Sequence, residues 1–245
     1  MNNEKFLDKP FVLPALVLGL AFVLASIIGG YTFYKTRTLD DALSVTGSAK
    51  TSVKADNAKW SFNISRRTGE LNLQTGYAAL ARDLVAVNKF LAQNNIKPEQ
   101  INITPVFMEQ MYYDSNYQGP REVTLRQNIT VSSTDVAGIT QLAKNTDVLT
   151  QAGIFFQGYS PEYYYSKLAE LRVSLLSDAV KDAKARAEQI AKSSGQNVGA
   201  LKAASSGVVQ VLPPNSIEVA DYGAYDTSSI DKDVMVTVRA TFFVR

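Results

Sequence analysis

"DAVKDAKARAEQIAKSSGQNVG", Asp178 to Gly199, reads as the second half of a long helix, and its alanines carry the reading. Ala179, Ala183, Ala187 and Ala191 continue a row begun by Leu171 and Leu175, each four residues after the last. Residues four apart share one helix face. Such a row is a ridge for packing against another element. The ridge starts large and ends small, so its partner is expected to come closest toward the C-terminus. Leu168, Leu176, Val180 and Ile190 lie beside it. The charges fall on the solvated side, where Asp182–Arg186 and Glu188–Lys192 are expected as i,i+4 pairs worth about 0.3 kcal/mol each. Gly195 is a natural stop. The helix is expected from roughly Glu162 to Ser194, as a packing element rather than a catalytic one.

Before it, the chain alternates strands and helices. Val45, Gly47, Ala49, Thr51 and Val53 share one face of a strand; Ala58, Trp60, Phe62 and Ile64 share one face of the next. A period of two marks half-buried strands, and Asp56-Asn57 between them reads as a hairpin. A helix over about Leu71–Gln93 carries Leu73, Tyr77, Leu80, Leu84, Val87 and Leu91 at helical spacing. It ends at "QNNIKPEQ", where Asn tolerates left-handed geometry and Pro98 prevents continuation. Strands at Ile101–Tyr113 and Glu122–Val131 follow. A second helix capped by Thr134 or Asp135 runs to Thr150, and Gly153 ends that region. A short strand and an aromatic-rich connection, "IFFQGYSPEYYYS", lead into the long helix. Strands in "SGVVQVLP" and "DVMVTVRATFFVR" close the chain, the latter with Val234, Val236, Val238, Ala240, Phe242 and Val244 in strict alternation. The order ββα-ββα-β-α-ββ predicts an α+β class: antiparallel sheets packed with three helices. The two ββα units form at most a degenerate repeat.

The N-terminus is different. Phe11 to Gly30, "FVLPALVLGLAFVLASIIGG", holds one hydroxyl, Ser26, and no charge. Twenty helical residues reach about 30 Å, the hydrocarbon thickness of a bilayer. A signal peptide has a shorter apolar region of about 7–15 residues and a small-x-small cleavage site. Ala25-Ser26-Ile27 matches that site poorly, so an uncleaved transmembrane anchor over residues 11–34 is expected, between a short N-terminal segment (1–10) and a linker (35–42). Lys5 and Lys9 precede the span and Lys35 and Arg37 follow it, so charge does not set its orientation. Ala21, Ala25 and Gly29 form a small-residue line suited to helix–helix contact.

Composition removes most chemistry. The 245 residues include no cysteine and no histidine. Thiol nucleophiles, disulfides, thiolate metal sites and imidazole bases are therefore absent; carboxylate, Lys, Tyr and hydroxyl chemistry remain. The net charge is +2 with both signs interspersed, which is no nucleic-acid footprint. No P-loop, dinucleotide fingerprint or nucleophile elbow occurs, and no cofactor or metal is expected. The acids of the Pro213–Asp231 loop (Glu218, Asp221, Asp226, Asp231) match no calcium-loop spacing and read as solvated.

Four stretches resemble one family in the right order. "LSVTGSAKTSVKADNAKWSFNIS" is similar to the opening of SIMPL-domain proteins, "IKPEQINITP" to their turn into the third strand, "LRVSLLSDAVKDAKARAEQIAKSSGQNVGAL" to their alanine helix, and "VMVTVRATFFV" to their last strand. The resemblance spans about residues 43–245. Two positions depart from it: "GPREV" stands where a Gly-Tyr pair often precedes the fourth strand, and Asn95 replaces a glycine before Ile96. The resemblance implies a bacterial envelope protein, periplasmic or membrane-anchored; with the anchor, the domain is expected in the periplasm. Some relatives form large rings, and others are linked to oxidative-stress tolerance. It implies no biochemical mechanism.

The leading expectation is a non-catalytic, self-associating envelope protein anchored in the inner membrane, with no nucleic-acid partner. A carboxylate-based hydrolase or a small-molecule or saccharide-binding module is the alternative, and a pocket with converging carboxylates would favour it. Tyrosines cluster at 112, 113 and 117 and at 159, 163, 164 and 165. Aromatic clusters with polar tips suit cores, interfaces and ligand surfaces alike. Subunit contacts are expected at Tyr112, Tyr113, Tyr163 and Tyr164, with Ala21, Ala25 and Gly29 in the anchor.

Overall fold

The computed structural model describes residues 12–38, 41–114, 116, 118–216 and 221–245. Residues 1–11, linker positions 39 and 40, Tyr117 and Glu218 lie outside the described residues. Helix α1 spans Val12–Thr38, and its Leu13–Lys35 stretch is long and apolar enough to cross a membrane, with no part of it buried. The class is α+β, with antiparallel strand pairing throughout the larger sheet.

The chain divides into two compact units. The larger holds Ala49–Ser177 and Val208–Val236. Its centre is one long antiparallel pair, β2 (Asn57–Gly69) with β5 (Glu122–Ser133). Along the outer side of β5 run β3 (Ile101–Ile103) and β4 (Phe107–Gln110); along that of β2 run β6 (Phe155–Gly158) and β7 (Glu162–Tyr164). The expected strand Ile101–Tyr113 is thus two. Pro105 lacks an N–H for the ladder, and Thr104 takes over locally: its carbonyl accepts from Gln127 Nε2 and its hydroxyl from Asn128 N. Helices α2 (Leu73–Gln93), α3 (Val136–Lys144) and α4 (Asp147–Gln151) contribute to the core of this unit. The second expected helix is therefore two, broken at Asn145-Thr146. The expected inward residues Ala58, Trp60, Phe62 and Ile64 of β2 and Val123, Leu125, Ile129 and Val131 of β5 are all buried. The rings of Trp60 and Phe62 sit 4.5 Å apart, with Phe156 5.1 Å from Phe62.

On α2 the buried face is Gly76, Leu80, Asp83, Val87, Phe90 and Leu91, while Tyr77 is exposed. Of the expected row, Leu73, Leu80, Leu84, Val87 and Leu91 face the core and Tyr77 does not. Beyond α2, Asn95 has φ of 61°. Asn95 thus holds a left-handed corner, a conformation in which Asn is enriched among residues other than Gly.

A second sheet has the order β1 (Ala42–Lys54), β9 (Asp231–Val244), β8 (Val198–Leu212). The expected β1–β2 hairpin does not form; the two strands belong to different sheets. The residues between them are bound by other segments. Ala55 N donates to the Ile230 carbonyl and Asp56 N to that of Tyr164. The Asp56 carboxylate accepts from the Ser166 N–H and hydroxyl. No Asn-Gly or Gly-Gly pair is present to turn the chain back in two residues, so it crosses over.

The long helix, α5, spans Leu168–Ser193. Its expected start at Glu162 is corrected: Glu162–Tyr164 pair with β2 as β7, and the described residues after α1 hold four α-helices, α2 to α5. Gly195 ends α5 at φ 74°, as Gly153 ends α4 at φ 71°. The smaller unit comprises residues up to Ser48, Asp178–Gly207 and Thr237–Arg245. Here Ala179, Ala183, Ala187 and Ala191 are buried, and the close partner of the ridge is β1 at Gly47. A Cβ there would lie 2.7 Å from Ala183 Cβ and closer still to the Ala179 carbonyl and Ala183 nitrogen.

Candidate functional site

Every carboxylate that the fold draws inward has a partner. Asp83, on the apolar face of α2, takes a forked pair from Arg66 of β2: Nε to Oδ2 at 2.5 Å and Nη2 to Oδ1 at 2.7 Å. The bond to Asp83 outweighs burial and raises the Arg66 guanidinium further. Asp233, at the start of β9, accepts from Ser52 and pairs with Lys50 at 2.6 Å. Those bonds, Lys50 first, hold its carboxyl below the usual range.

The most enclosed group is Lys232. Its side chain is wholly buried, and Nζ donates to the Asp226 carbonyl at 2.5 Å and lies 3.4 Å from the Asp226 carboxylate. The Tyr225 ring lies 5.9 Å from the ammonium. Burial lowers the Lys232 pKa, and Asp226 pulls the other way without cancelling it. Burial alone would raise Asp226, but hydrogen bonds from Ser228 and Ser229, side chain and backbone, hold it well below the carboxylate range. The expected solvated acidic loop is corrected at this point: Asp226 is the anchor of the loop, and a buried lysine is the reason. The visible signal was Lys232 itself, two residues before Val234 and in phase with the apolar alternation of β9, facing an acid followed by Thr227, Ser228 and Ser229.

Lysine with a lowered pKa and nearby serines suits nucleophilic chemistry only if substrate can reach it. Lys232 is closed to solvent and spends its protons on Asp226. Among the described residues the one buried side-chain polar atom lacking a partner is Arg126 Nε, and no group of three or more acids could hold a metal ion. These charges hold loops and strands in place.

The surface differs. On β4 and the residues after it, Phe107 is 50% exposed, Met108 47% and Tyr112 97%, with Met111 beside them. β4 pairs only with β5, and in that pairing Phe107 stands opposite Arg126 and Met108 opposite Leu125, so the two point to opposite faces of the sheet. Next to them a cleft of about 240 Å³ is lined by Glu70, Tyr112, Tyr113, Asp114 and Arg121, among others. In its wall the Tyr113 hydroxyl accepts from Glu122 N at 2.8 Å.

The predicted contact residues separate. Tyr112 is outward. Tyr113 and Tyr164 are half-buried, Tyr164 bonded to Glu162 and tilted 5.9 Å from Tyr225. Tyr163 is a correction. It is only 7% exposed, and its hydroxyl is 2.9 Å from that of Thr140, so it belongs to the core of its unit. Ala21, Ala25 and Gly29 lie on α1 with their surroundings open.

Residues 43–242 match the family described as "SIMPL: Protein of unknown function (DUF541)". The chain belongs to the SIMPL family. No curated protein matches it. Among solved structures, a candidate aminohydrolase from methicillin-resistant Staphylococcus aureus is similar at 12% identity and a TM-score of 0.22, over 55% of this chain and 36% of that one. A likeness at that level carries no argument about the SIMPL domain. Within that domain, the strand opening around Gly47 and the alanine helix, two of the four stretches that resembled the family, approach closely at Gly47, Ala179 and Ala183.

Proposed function

We propose that this SIMPL protein is a single-pass anchored protein of a bacterial inner membrane, its domain in the periplasm, that works by self-association rather than catalysis. The carrying observation is the exposure of four large apolar side chains within one short stretch, Phe107, Met108, Met111 and Tyr112. Large apolar and aromatic side chains left exposed are enriched at contact surfaces. The partners that Asp83, Asp226 and Asp233 find in Arg66, Lys232 and Lys50 support a structural use of these charges. A cyclic arrangement about an axis along the membrane normal lets every anchor insert the same way. The resemblance adds an expected part in oxidative or envelope stress tolerance.

The test is light scattering on the detergent-solubilised full chain, with micelle mass subtracted. A defined multimer well above 26.8 kDa is expected, and Tyr112→Ser with Phe107→Ser should lower the association constant at least tenfold without lowering the Tm. A monomer at micromolar concentration overturns the reading. The cleft beside Tyr112, with Glu70 and Asp114 in its wall, favours a second reading as a small-molecule or saccharide site. A monomer whose Tyr112→Ser variant loses saccharide binding would support that instead.

A further inference from the structure

β8 is the outer strand of the β1-β9-β8 sheet, and its free edge is covered along only part of its length. At the C-terminal end a loop fills it. Val211 N donates to the Ala224 carbonyl and Asp226 N to that of Val211, both at 2.8 Å, in a parallel bridge with Tyr225. Toward the N-terminal end no described strand lies beside it. There Ala200 to Ser206, seven consecutive residues, are all exposed, so neither face is covered. Natural sheets guard such an edge with several charges, proline or a bulge, because unpaired N–H and C=O groups recruit another strand. "ALKAASS" has one charge, Lys202, and no proline.

We infer that this segment pairs edge to edge, antiparallel, with the same segment of a second copy of the chain. The inference rests on the self-association reading and adds a second contact, separate from the residues around β4. The observation that selects a second copy is self-complementarity about Ala204. An antiparallel ladder centred there sets Lys202 opposite Ser206, Ala203 opposite Ser205, Leu201 opposite Gly207 and Ala200 opposite Val208. No like charges meet. Each pair includes at least one small residue, so the strands reach the ordinary ladder spacing of about 4.8 Å. A ladder centred on Lys202 would instead set two ammonium groups face to face. A two-fold contact demands this kind of self-match, and two-fold is the smallest cyclic order. One short ladder is smaller than the roughly 1,200 Å² of a stable specific interface. Copies held in one bilayer by their apolar helices meet at high effective concentration, which offsets that deficit.

The chain has no cysteine, so single cysteines report the contact cleanly. Ala204→Cys and Ala200→Cys are made in the full chain and oxidised in native membranes. Across the proposed axis the two 204 positions are about 5 Å apart. The two 200 positions are eight residues apart along the ladder, roughly 27 Å. The expected result is a reducible dimer band for Ala204→Cys at least fivefold stronger than for Ala200→Cys. A second variant, Ala203→Lys with Ala204→Lys, alters only exposed positions and should lower the multimer fraction severalfold at unchanged circular dichroism. A multimer in light scattering without the Ala204→Cys cross-link, or with equal cross-linking at both positions, overturns the β8 contact and leaves self-association standing. A monomer with no cross-link overturns both.

Discussion

Gly47→Ala tests the packing that the long helix exists to make. The added Cβ meets the Ala179 carbonyl and the Ala183 nitrogen at less than contact distance, and Ala183 Cβ at 2.7 Å. Two of these three atoms are helix backbone, which cannot rotate aside as a side-chain tip can. Relief requires β1 and α5 to move apart, and the Ser48 N–H to Asp182 carboxylate bond of 2.8 Å resists this next door. Overpacking of this kind costs about 1–3 kcal/mol. For a domain near 200 residues, each kcal/mol moves the Tm by roughly 2–4 °C, so a fall of about 2–12 °C is expected by calorimetry of the full chain. Gly199→Ala is the graded control. Its nearest obstacle is the Phe243 carbonyl at 3.3 Å, which a small shift accommodates, so it should move the Tm far less. On the helix side, Ala183→Leu should behave like Gly47→Ala, while exposed Ala185→Leu should be tolerated. Equal melting temperatures for Gly47→Ala and wild type would refute the close approach.

Three further outcomes follow from the same geometry. Asp226→Ala leaves Lys232 buried beside an empty place and should cost about 3–5 kcal/mol in denaturant titration; adding Lys232→Met should recover part of it, since removing both charges spares the desolvation. Asp226 and Asp233 have depressed carboxyl pKa values in the folded state, so the stability they contribute is present above the unfolded carboxylate value near 3.9. It is lost as pH falls through their folded values. Urea midpoints should hold from pH 7 to about 5 and drop below pH 4, with Asp233→Asn flattening part of that drop. Intact mass of protein from native membranes should retain residues 11–34; a new N-terminus between Ser26 and Tyr31 would show cleavage instead.

The alternation in β2, β5 and β9 and the alanine row of α5 were legible because a strand or helix with one buried face writes its period directly into the residues. The corners were legible for the same local reason: Asn95, Gly153 and Gly195 take positive φ where the chain must turn left-handed. Composition alone set the limits on chemistry, since no fold can supply an imidazole or thiol that the chain lacks. Partners at long range were not legible. β1 and β2 are separated by two residues yet lie in different sheets, because Ile230, Tyr164 and Ser166 capture the link. Tyr112 and Tyr163 have the same side chain and opposite fates, one left bare at a sheet edge and one closed over by Thr140. Asp226 read as one more acid in a polar loop until the fold set a buried lysine against it. Periodicity encodes which side of an element faces inward; which element it then meets depends on the free energy of the whole chain closing on itself, and no local stretch contains that information.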